Sequence, residues 1–254
     1  LLEPLDKSAI PNAMNIDPSL MSKSFDPDNT FSLPYSWAVT GVIFNKNKVH
    51  PPISGYENLF SRDDVKFRTG LLDDNREVIG SVLKSMGQSV NSRDELKLHA
   101  AKEKLIRLKR RIREFTSAPS SMLKQGDLLA AQIYSNEALR LIQKSPEFEF
   151  ILPEEGFTMA IDNMAIPRRS KRKTQALKLI NFLLREDINI QFAQELLCAP
   201  IVRDGLSKLP ENMRSQPSIG KLDVIQLKGE MLKDLGSSTV TYDRIWTEVK
   251  ASSI

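Results

Sequence analysis

The chain of 254 residues is poor in the residue types on which several kinds of site depend. Its single cysteine, Cys198, excludes a disulfide framework within the chain, and no base stands near it in the sequence to activate it as a nucleophile. Its two histidines, His50 and His99, have no cysteine or histidine partner at the spacing of a zinc site. No Walker A, G-x-G-x-x-G or G-x-S-x-G motif occurs. These absences argue against an enzyme, and we expect no cofactor and no metal.

Long apolar runs and strong net charge are also missing. No run of 18 apolar residues occurs, so the sequence predicts no membrane-spanning helix. The net charge of +4 is mild, and acidic residues interrupt nearly every basic run. Nucleic acid binding would be one interpretation of the basic excess, but a solvated basic surface explains it better, and we expect no nucleic-acid partner. With 41% apolar residues, the chain is long enough for one large or two small domains.

The most informative stretch runs from residue 161 to residue 187. Ile161 to Ile166 is predicted to be a short buried strand that ends at Pro167, because proline cannot donate to a strand ladder. The segment 174–187 has the apolar period of a helix packed on a sheet. Asp162 is a lone acid in the apolar strand, and burying it would be costly unless a cation met it.

Five polar residues, Asp73 to Glu77, follow a predicted strand over 66–72 and allow two interpretations. Asp74 and Glu77 have the spacing of a capping box, so they would simply begin the next helix. Alternatively, they line a ligand site at the carboxyl end of the strand, where open sheets bind their ligands.

A long helix is predicted over residues 92–115, with Ser92 as its cap and Glu95 three residues later. One side of this helix is apolar, and the other side is strongly basic. The basic side is either a solvated face or a docking surface for an acidic partner or for anionic lipid headgroups.

Several motifs, in a shared order, carry a resemblance to a known family over nearly the whole chain, from residue 1 to about residue 250. The sequence resembles the periplasmic spermidine/putrescine-binding proteins of ABC transporters. The matching motifs, in chain order, are PLDKSAIPN (4–12), FDPDNTFSLPYSWAVTGVIFN (25–45), DDNREV (73–78), MAIP (164–167) with ALKLINFLL (176–184), and KGEMLKDLG (228–236).

The resemblance implies an α/β, two-lobed periplasmic-binding-protein fold of type II. Lobe one would hold 1–38 and 161–206, and lobe two 39–160 and 207–254, with 31–44 and 160–166 extended side by side. Roughly seventy residues of a full-length relative would precede this chain, so lobe one is expected to be incomplete. An incomplete lobe would expose sheet edge and apolar surface, through which we expect a possible self-association.

The resemblance also implies the ligand site. Matched by position, Asp74, Glu77 and Asp162 supply carboxylates for the ammonium groups of a polyamine, and Tyr134 supplies an aromatic wall. Three acids crowded without a cation should raise the pKa of at least one of them. The sequence departs from the family pattern at three further positions, where a tryptophan, a tyrosine and a glutamine are replaced by Ala160, Cys198 and Leu232.

The implied function is extracytoplasmic, or periplasmic, binding of a polyamine or a related organic cation between two lobes that close by a hinge and then dock on the permease of an ABC transporter. The alternative is a diverged, non-transport homologue that acts as an interaction or scaffold protein. The matching acids favour the first function, whereas the three departures favour the second.

Overall fold

The computed structural model describes residues 1–252, which form two compact units. The first unit comprises Leu1–Ala38 and Ala160–Gly220, and the second comprises Val39–Met159 and the chain from Lys221 onward. The chain therefore passes from one unit to the other three times. Residues 207–220 belong to the first unit, whereas the sequence-based division assigned them to lobe two. That division into lobes stays a prediction.

Strands and helices alternate along most of the chain, as expected for an α/β protein. The strands are β1 (Ser32–Asn45), β2 (Thr69–Leu72), β3 (Glu114–Thr116), β4 (Ala130–Tyr134), β5 (Phe148–Ile151), β6 (Phe157–Ala165) and β7 (Gly229–Met231). The helices are α1 (Tyr56–Ser61), α2 (Asn75–Ser85), α3 (Glu95–Lys109), α4 (Pro119–Gln125), α5 (Ser135–Ile142), α6 (Lys173–Leu183), α7 (Glu186–Leu196), α8 (Glu211–Arg214), α9 (Pro217–Gly220), α10 (Leu222–Lys228) and α11 (Thr239–Ala251). Short 3-10 turns occupy much of the first 20 residues.

The long strand β1 is the centre of the sheet, whose strand order is β3-β2-β4-β1-β6-β7, with β5 also paired to β1. Its residues are almost all buried, as expected for a strand with neighbours on both sides. The register of its antiparallel pair with β4 places Gly41 opposite Ile133. The prediction that 31–44 and 160–166 are extended and adjacent is confirmed, because β1 and β6 are neighbouring strands.

Helix α3 packs its predicted apolar stripe into the core of the second unit, but it is shorter than predicted. Asp94, not Ser92, caps it, with its Oδ1 accepting from the backbone N–H groups of Leu96 and Lys97. The helix ends at Lys109, and residues 114–116 form the edge strand β3 beside β2. The sequence pattern predicted helix through residue 115, but residues 114–116 pair with β2 instead, because strand formation depends on tertiary contacts.

The predicted buried strand at residues 161–166 was wrong in its burial. This end of β6 is exposed or half-exposed, and only Ile166, beyond the strand, is buried. Helix α6 packs on the N-terminal 3-10 turns rather than on a sheet, with Asn12 and Asn181 exchanging two hydrogen bonds of 2.9 and 2.8 Å. Leu179 and Phe182 on the same helix stay exposed.

The segment 229–235 is the strand β7 followed by a loop. Gly229 ends α10, and a side chain there would meet the carbonyl oxygen of Ile225 at 2.5 Å and the ring of Phe157 at 3.3 Å. β7 then pairs in parallel with β6. The close approach of the helix end to β6 therefore requires glycine and stops the helix.

A buried aspartate holds the turn that leads into β1. The carboxylate of Asp26 accepts from the backbone N–H groups of Thr30, Phe31 and Ser32 at 2.8–2.9 Å and from the Ser32 hydroxyl at 2.9 Å. Burial alone would raise the pKa of Asp26, but these hydrogen bonds together lower it below the usual range. The charged carboxylate is therefore part of the turn.

We expect Asp26→Asn to lower the free energy of unfolding by about 2 kcal/mol at pH 7, the scale of hydrogen bonds to a charged group. Because the folded-state pKa of Asp26 is lowered, its stabilisation is present above the unfolded pKa of about 3.9 and is lost as the pH falls through the folded-state value. Urea unfolding of wild type and variant should therefore converge toward the acid end of the pH range.

Asp28→Asn is the matched control, because Asp28 is exposed in the same turn and its side chain makes no hydrogen bond within residues 1–252. It should change stability by less than about 0.5 kcal/mol. Equal losses in both variants would contradict the role given to Asp26.

Candidate functional site

Asp74 begins α2 and caps it. Its Oδ1 accepts from the backbone N–H groups of Arg76 at 2.9 Å and Glu77 at 3.0 Å. In the described part of the chain, its Oδ2 receives no hydrogen bond, and the residue is half-exposed. The capping interpretation is therefore correct for Asp74, and it leaves one carboxylate oxygen for a ligand.

Glu77 lies one turn into α2, and its carboxyl group is buried, with 4% of the residue exposed. Burial is the largest influence on it and raises its pKa to about 7, against hydrogen bonds from Thr158 and Thr40 that lower it. The predicted raised pKa is confirmed for this acid, but the cause is mainly burial, and the nearby charge of Asp74 adds a smaller part. The hydroxyl of Thr158 donates to Oε2 of Glu77. The Glu77 side chain therefore does not reach back to the backbone N–H of Asp74, and the capping box is incomplete.

Two buried polar residues that the sequence analysis did not select lie around Glu77. Gln132, fully buried in β4, donates from Nε2 to the backbone oxygen of Glu77 at 3.0 Å. Tyr56 is also fully buried, and burial followed by the charge of Glu77 raises the pKa of its phenol. The signal for Gln132 was present, because a polar side chain within an otherwise apolar strand requires buried hydrogen-bond partners.

Tyr134 ends β4 and precedes α5, and 36% of it is exposed. Burial is the main influence that raises the pKa of its phenol, and the charges of Glu77, Asp74 and Glu137 raise it further. The backbone N–H of Ser120 donates to Glu137 Oε1 at 3.3 Å. Three carboxyl groups in the second unit thus act electrostatically on the phenol of Tyr134, and together they favour a cation near it.

Asp162 lies in the first unit, near the end of β6, and is exposed. The hydroxyl of Ser36 donates to its Oδ2 at 2.8 Å. The expected burial of this acid was wrong, so no cation is needed to offset a desolvation cost. Its carboxylate remains accessible to solvent.

An aromatic side chain also lies near Asp162 in the first unit. Burial raises the pKa of the Tyr35 phenol, and the negative charge of Asp162 adds to that shift. The Tyr35 ring packs edge-on against Phe192 with centroids 5.4 Å apart. Cys198 is buried, which raises the pKa of its thiol to about 11, and it behaves as a packing residue.

The structure thus brings Asp74, Glu77 and Tyr134 together in the second unit and places Asp162 in the first. Among the described residues, no group of three or more His, Cys, Asp or Glu side chains has the geometry to hold a metal ion. In the same residues, no helix is long and apolar enough to cross a bilayer.

Comparison with known proteins identifies a family and several relatives. The model of the family described as bacterial extracellular solute-binding protein matches residues 1–215. The spermidine/putrescine-binding periplasmic protein of Salmonella typhimurium is 32% identical over 99% of this chain and 72% of its own length.

Solved structures with the same fold include two relatives of more than 25% identity. A putative spermidine/putrescine ABC transporter protein from Listeria monocytogenes is 29% identical, with a TM-score of 0.90 over 99% of this chain and 78% of its own. The spermidine/putrescine ABC transporter substrate-binding protein of Streptococcus pneumoniae, solved with calcium and HEPES, is 28% identical, with a TM-score of 0.88 over 98% of this chain and 78% of its own.

The buried carboxyl of Glu77 predicts a specific pH dependence of stability. Because its folded-state pKa is raised to about 7, the protonated group stabilises the fold fully below the unfolded pKa of about 4.3. This stabilisation is lost as the pH rises through 7. Glu77→Gln keeps a neutral side chain at every pH, so relative to wild type it should gain up to about 3 kcal/mol in free energy of unfolding between pH 4 and pH 8.

Urea unfolding across this pH range measures the difference. Glu103→Gln, on α3, controls for the loss of one carboxylate elsewhere in the same unit. If the difference between wild type and Glu77→Gln stayed constant with pH, the carboxyl of Glu77 would not titrate differently in the folded and unfolded states.

Proposed function

This chain belongs to the bacterial extracellular solute-binding protein family, and we propose that it binds a linear polyamine such as putrescine or spermidine for delivery to the permease of an ABC transporter. Its fold is that of the type II periplasmic binding proteins. The family binds and hands over solutes and is not a family of enzymes. The relatives named above are all binding proteins or transporter components, so nothing favours the scaffold alternative.

The observation that carries the proposal is the set of carboxyl groups around Tyr134. The charges of Glu77, Asp74 and Glu137 all act on its phenol, so an ammonium group placed there would be attracted by these carboxyl groups. The free Oδ2 of Asp74 can accept a charge-assisted hydrogen bond. The partly exposed ring of Tyr134 offers a face to an ammonium or to the methylenes beside it.

The first unit offers a second acid with its own aromatic neighbour. The resemblance places aromatic walls at positions 160 and 198, where this chain has alanine and a buried cysteine. Tyr35 lies close enough to Asp162 for the charge of the carboxylate to act on its phenol. We assign to Tyr35 the wall that the two departures remove, with Asp162 as the ammonium acceptor beside it.

Family membership supports a general location for this protein, and its compartment and its partner are proposed from the relatives. Family membership indicates an extracytoplasmic location, and a periplasmic one is proposed from the names of the relatives. The permease is proposed on the same ground, and self-association through lobe one stays a prediction.

The proposal is tested by thermal shift with putrescine, spermidine and a neutral diol of similar length. A ligand that binds only the folded protein raises its melting temperature by mass action, so both amines should stabilise the protein and the diol should not. Asp162→Asn should weaken amine binding by about 1.5–3 kcal/mol, the scale of a hydrogen bond to a charged group. Tyr35→Leu should cost about 0.5–2 kcal/mol, the scale of a cation–π contact.

Glu103→Gln on α3 is the control and should leave the amine shift unchanged. The absence of any shift with either amine, in protein that unfolds cooperatively, would reject polyamine as the ligand. Equal stabilisation by amine and diol would show that the site does not recognise charge.

Amine binding should also release protons near neutral pH. Glu77, with a pKa of about 7, is partly protonated there, and an ammonium ion nearby favours its ionised form. Calorimetric titration at pH 6.5 in buffers of different ionisation enthalpy should report a release of up to one proton per amine, and Glu77→Gln should lose that release. A release that persists in Glu77→Gln would assign the proton to another group.

A further inference from the structure

The second unit carries a cluster of cations and one exposed aromatic ring away from the acids described above. We call it the basic aromatic patch and define it as Lys66, Phe67, Lys109, Arg110 and Arg113. Lys66 and Phe67 lie in the loop before β2, and the other three lie at the end of α3 and in the turn after it. The backbone N–H of Phe67 donates to the carbonyl of Arg111 at 2.6 Å, which fixes the loop against the helix end.

Some of the cations on α3 and just after it are neutralised by acids, whereas two arginines of the patch are not. Lys102 and Lys104 pair with Glu248 and Glu57, and Arg111 pairs with Asp63 at 2.7 Å. Within residues 1–252, the side chains of Arg110 and Arg113 form neither an ion pair nor a hydrogen bond, and both residues are exposed. Lys97 and Arg107 on α3 are likewise exposed and without an ion pair within these residues, so the two arginines are distinguished by their position beside Phe67.

Phe67 is unusual in two respects. It is 54% exposed, and its φ of +60° lies in the left-handed region, which a bulky residue occupies only at a cost. The ammonium of Lys66 lies over its ring, 4.9 Å from the centroid. Exposing a large apolar ring on a strained backbone does not stabilise the folded chain, and strain of this kind is typical of binding surfaces.

Four of the five patch residues, all except Lys66, line an open cavity of about 420 Å³. Phe67, Ile112 and Phe115 form its apolar wall, and Phe115 is held in place by an edge-on contact with Trp246, with centroids 4.7 Å apart. Lys109, Arg110 and Arg113 line the same cavity, against the single acid Glu114. The cavity therefore offers both cations and an apolar wall to a ligand.

We propose that the basic aromatic patch docks on the surface of an anionic phospholipid membrane. The arginines would meet headgroup phosphates, which suit the donor fork of a guanidinium. Phe67 would enter the interface between headgroups and acyl chains, where aromatic rings are favoured. A lipid surface satisfies this patch better than an acidic protein does, because it presents unbroken negative charge above an apolar layer and needs no further complementary contacts.

Vesicle co-sedimentation of the full chain tests the proposal, with phosphatidylglycerol vesicles compared with phosphatidylcholine vesicles. Binding should require the anionic lipid and weaken as salt is raised, because exposed charges are screened. Arg110→Gln with Arg113→Gln should weaken binding by roughly 30-fold, the effect of two cations at an anionic surface. Phe67→Ala should weaken it about tenfold through the loss of apolar burial.

Two matched controls are available in the first unit. Arg168→Gln with Arg169→Gln removes the same charge from another exposed basic pair, and Phe25→Ala removes a ring of the same 54% exposure. Both should keep vesicle binding. Equal loss in the control pair, equal binding to both kinds of vesicle, or no binding by the wild type would each overturn the proposal.

Phe67→Asn separates membrane docking from folding. Asparagine tolerates the left-handed region, so this variant should melt at the same or a higher temperature than wild type while binding vesicles about tenfold more weakly, as Phe67→Ala does. All patch variants should keep the thermal shift with putrescine or spermidine, so failure of the membrane proposal is distinguishable from failure of the proposed function. Undiminished vesicle binding in Phe67→Asn would overturn the role given to the ring.

Discussion

The backbone ladder of β1 is the constraint on which the sheet depends. A strand of 14 residues, nearly all buried, has to satisfy each of its N–H and C=O groups from its neighbours, since water is not available to them. It does so by pairing with β4 and β5 and by lying beside β6. The turn held by the Asp26 carboxylate leads directly into this strand. The first residues of β1 belong to one unit and the last to the other, so one strand serves both cores.

The buried polar groups of the second unit also need hydrogen-bond partners, because water does not reach them. Glu77 is kept in the interior because two threonine hydroxyls bond to its carboxyl group, and the remaining desolvation cost appears as its raised pKa. Asp74, one turn earlier, is partly exposed and uses one oxygen for the helix end. Two acids at capping-box spacing therefore have different roles: one caps a helix and faces solvent, and the other is a buried titrating group. The proposed amine site uses both properties.

The cations on and just after α3 differ in whether an acidic side chain lies close enough to pair with them. Lys102 and Lys104 on α3 are matched by acids from α11 and α1, and these two pairs contribute modestly to stability. Just after the helix, Arg110 and Arg113 have no such partner within residues 1–252 and lie beside Phe67. The two proposed binding surfaces of the second unit thus have opposite charge, and each is suited to a different class of ligand.

The sequence alone determined the family, the α/β class and the positions of several elements, because those depend on local periodicity and on motifs in a shared order. It also indicated Asp74, whose capping role is a matter of local spacing. Only the tertiary structure decided that residues 114–116 join a sheet edge, that Asp162 is exposed, and that Glu77 is buried against Thr158 and Gln132. These depend on contacts between residues far apart in the chain, and such contacts leave no periodic signal in the segments that make them.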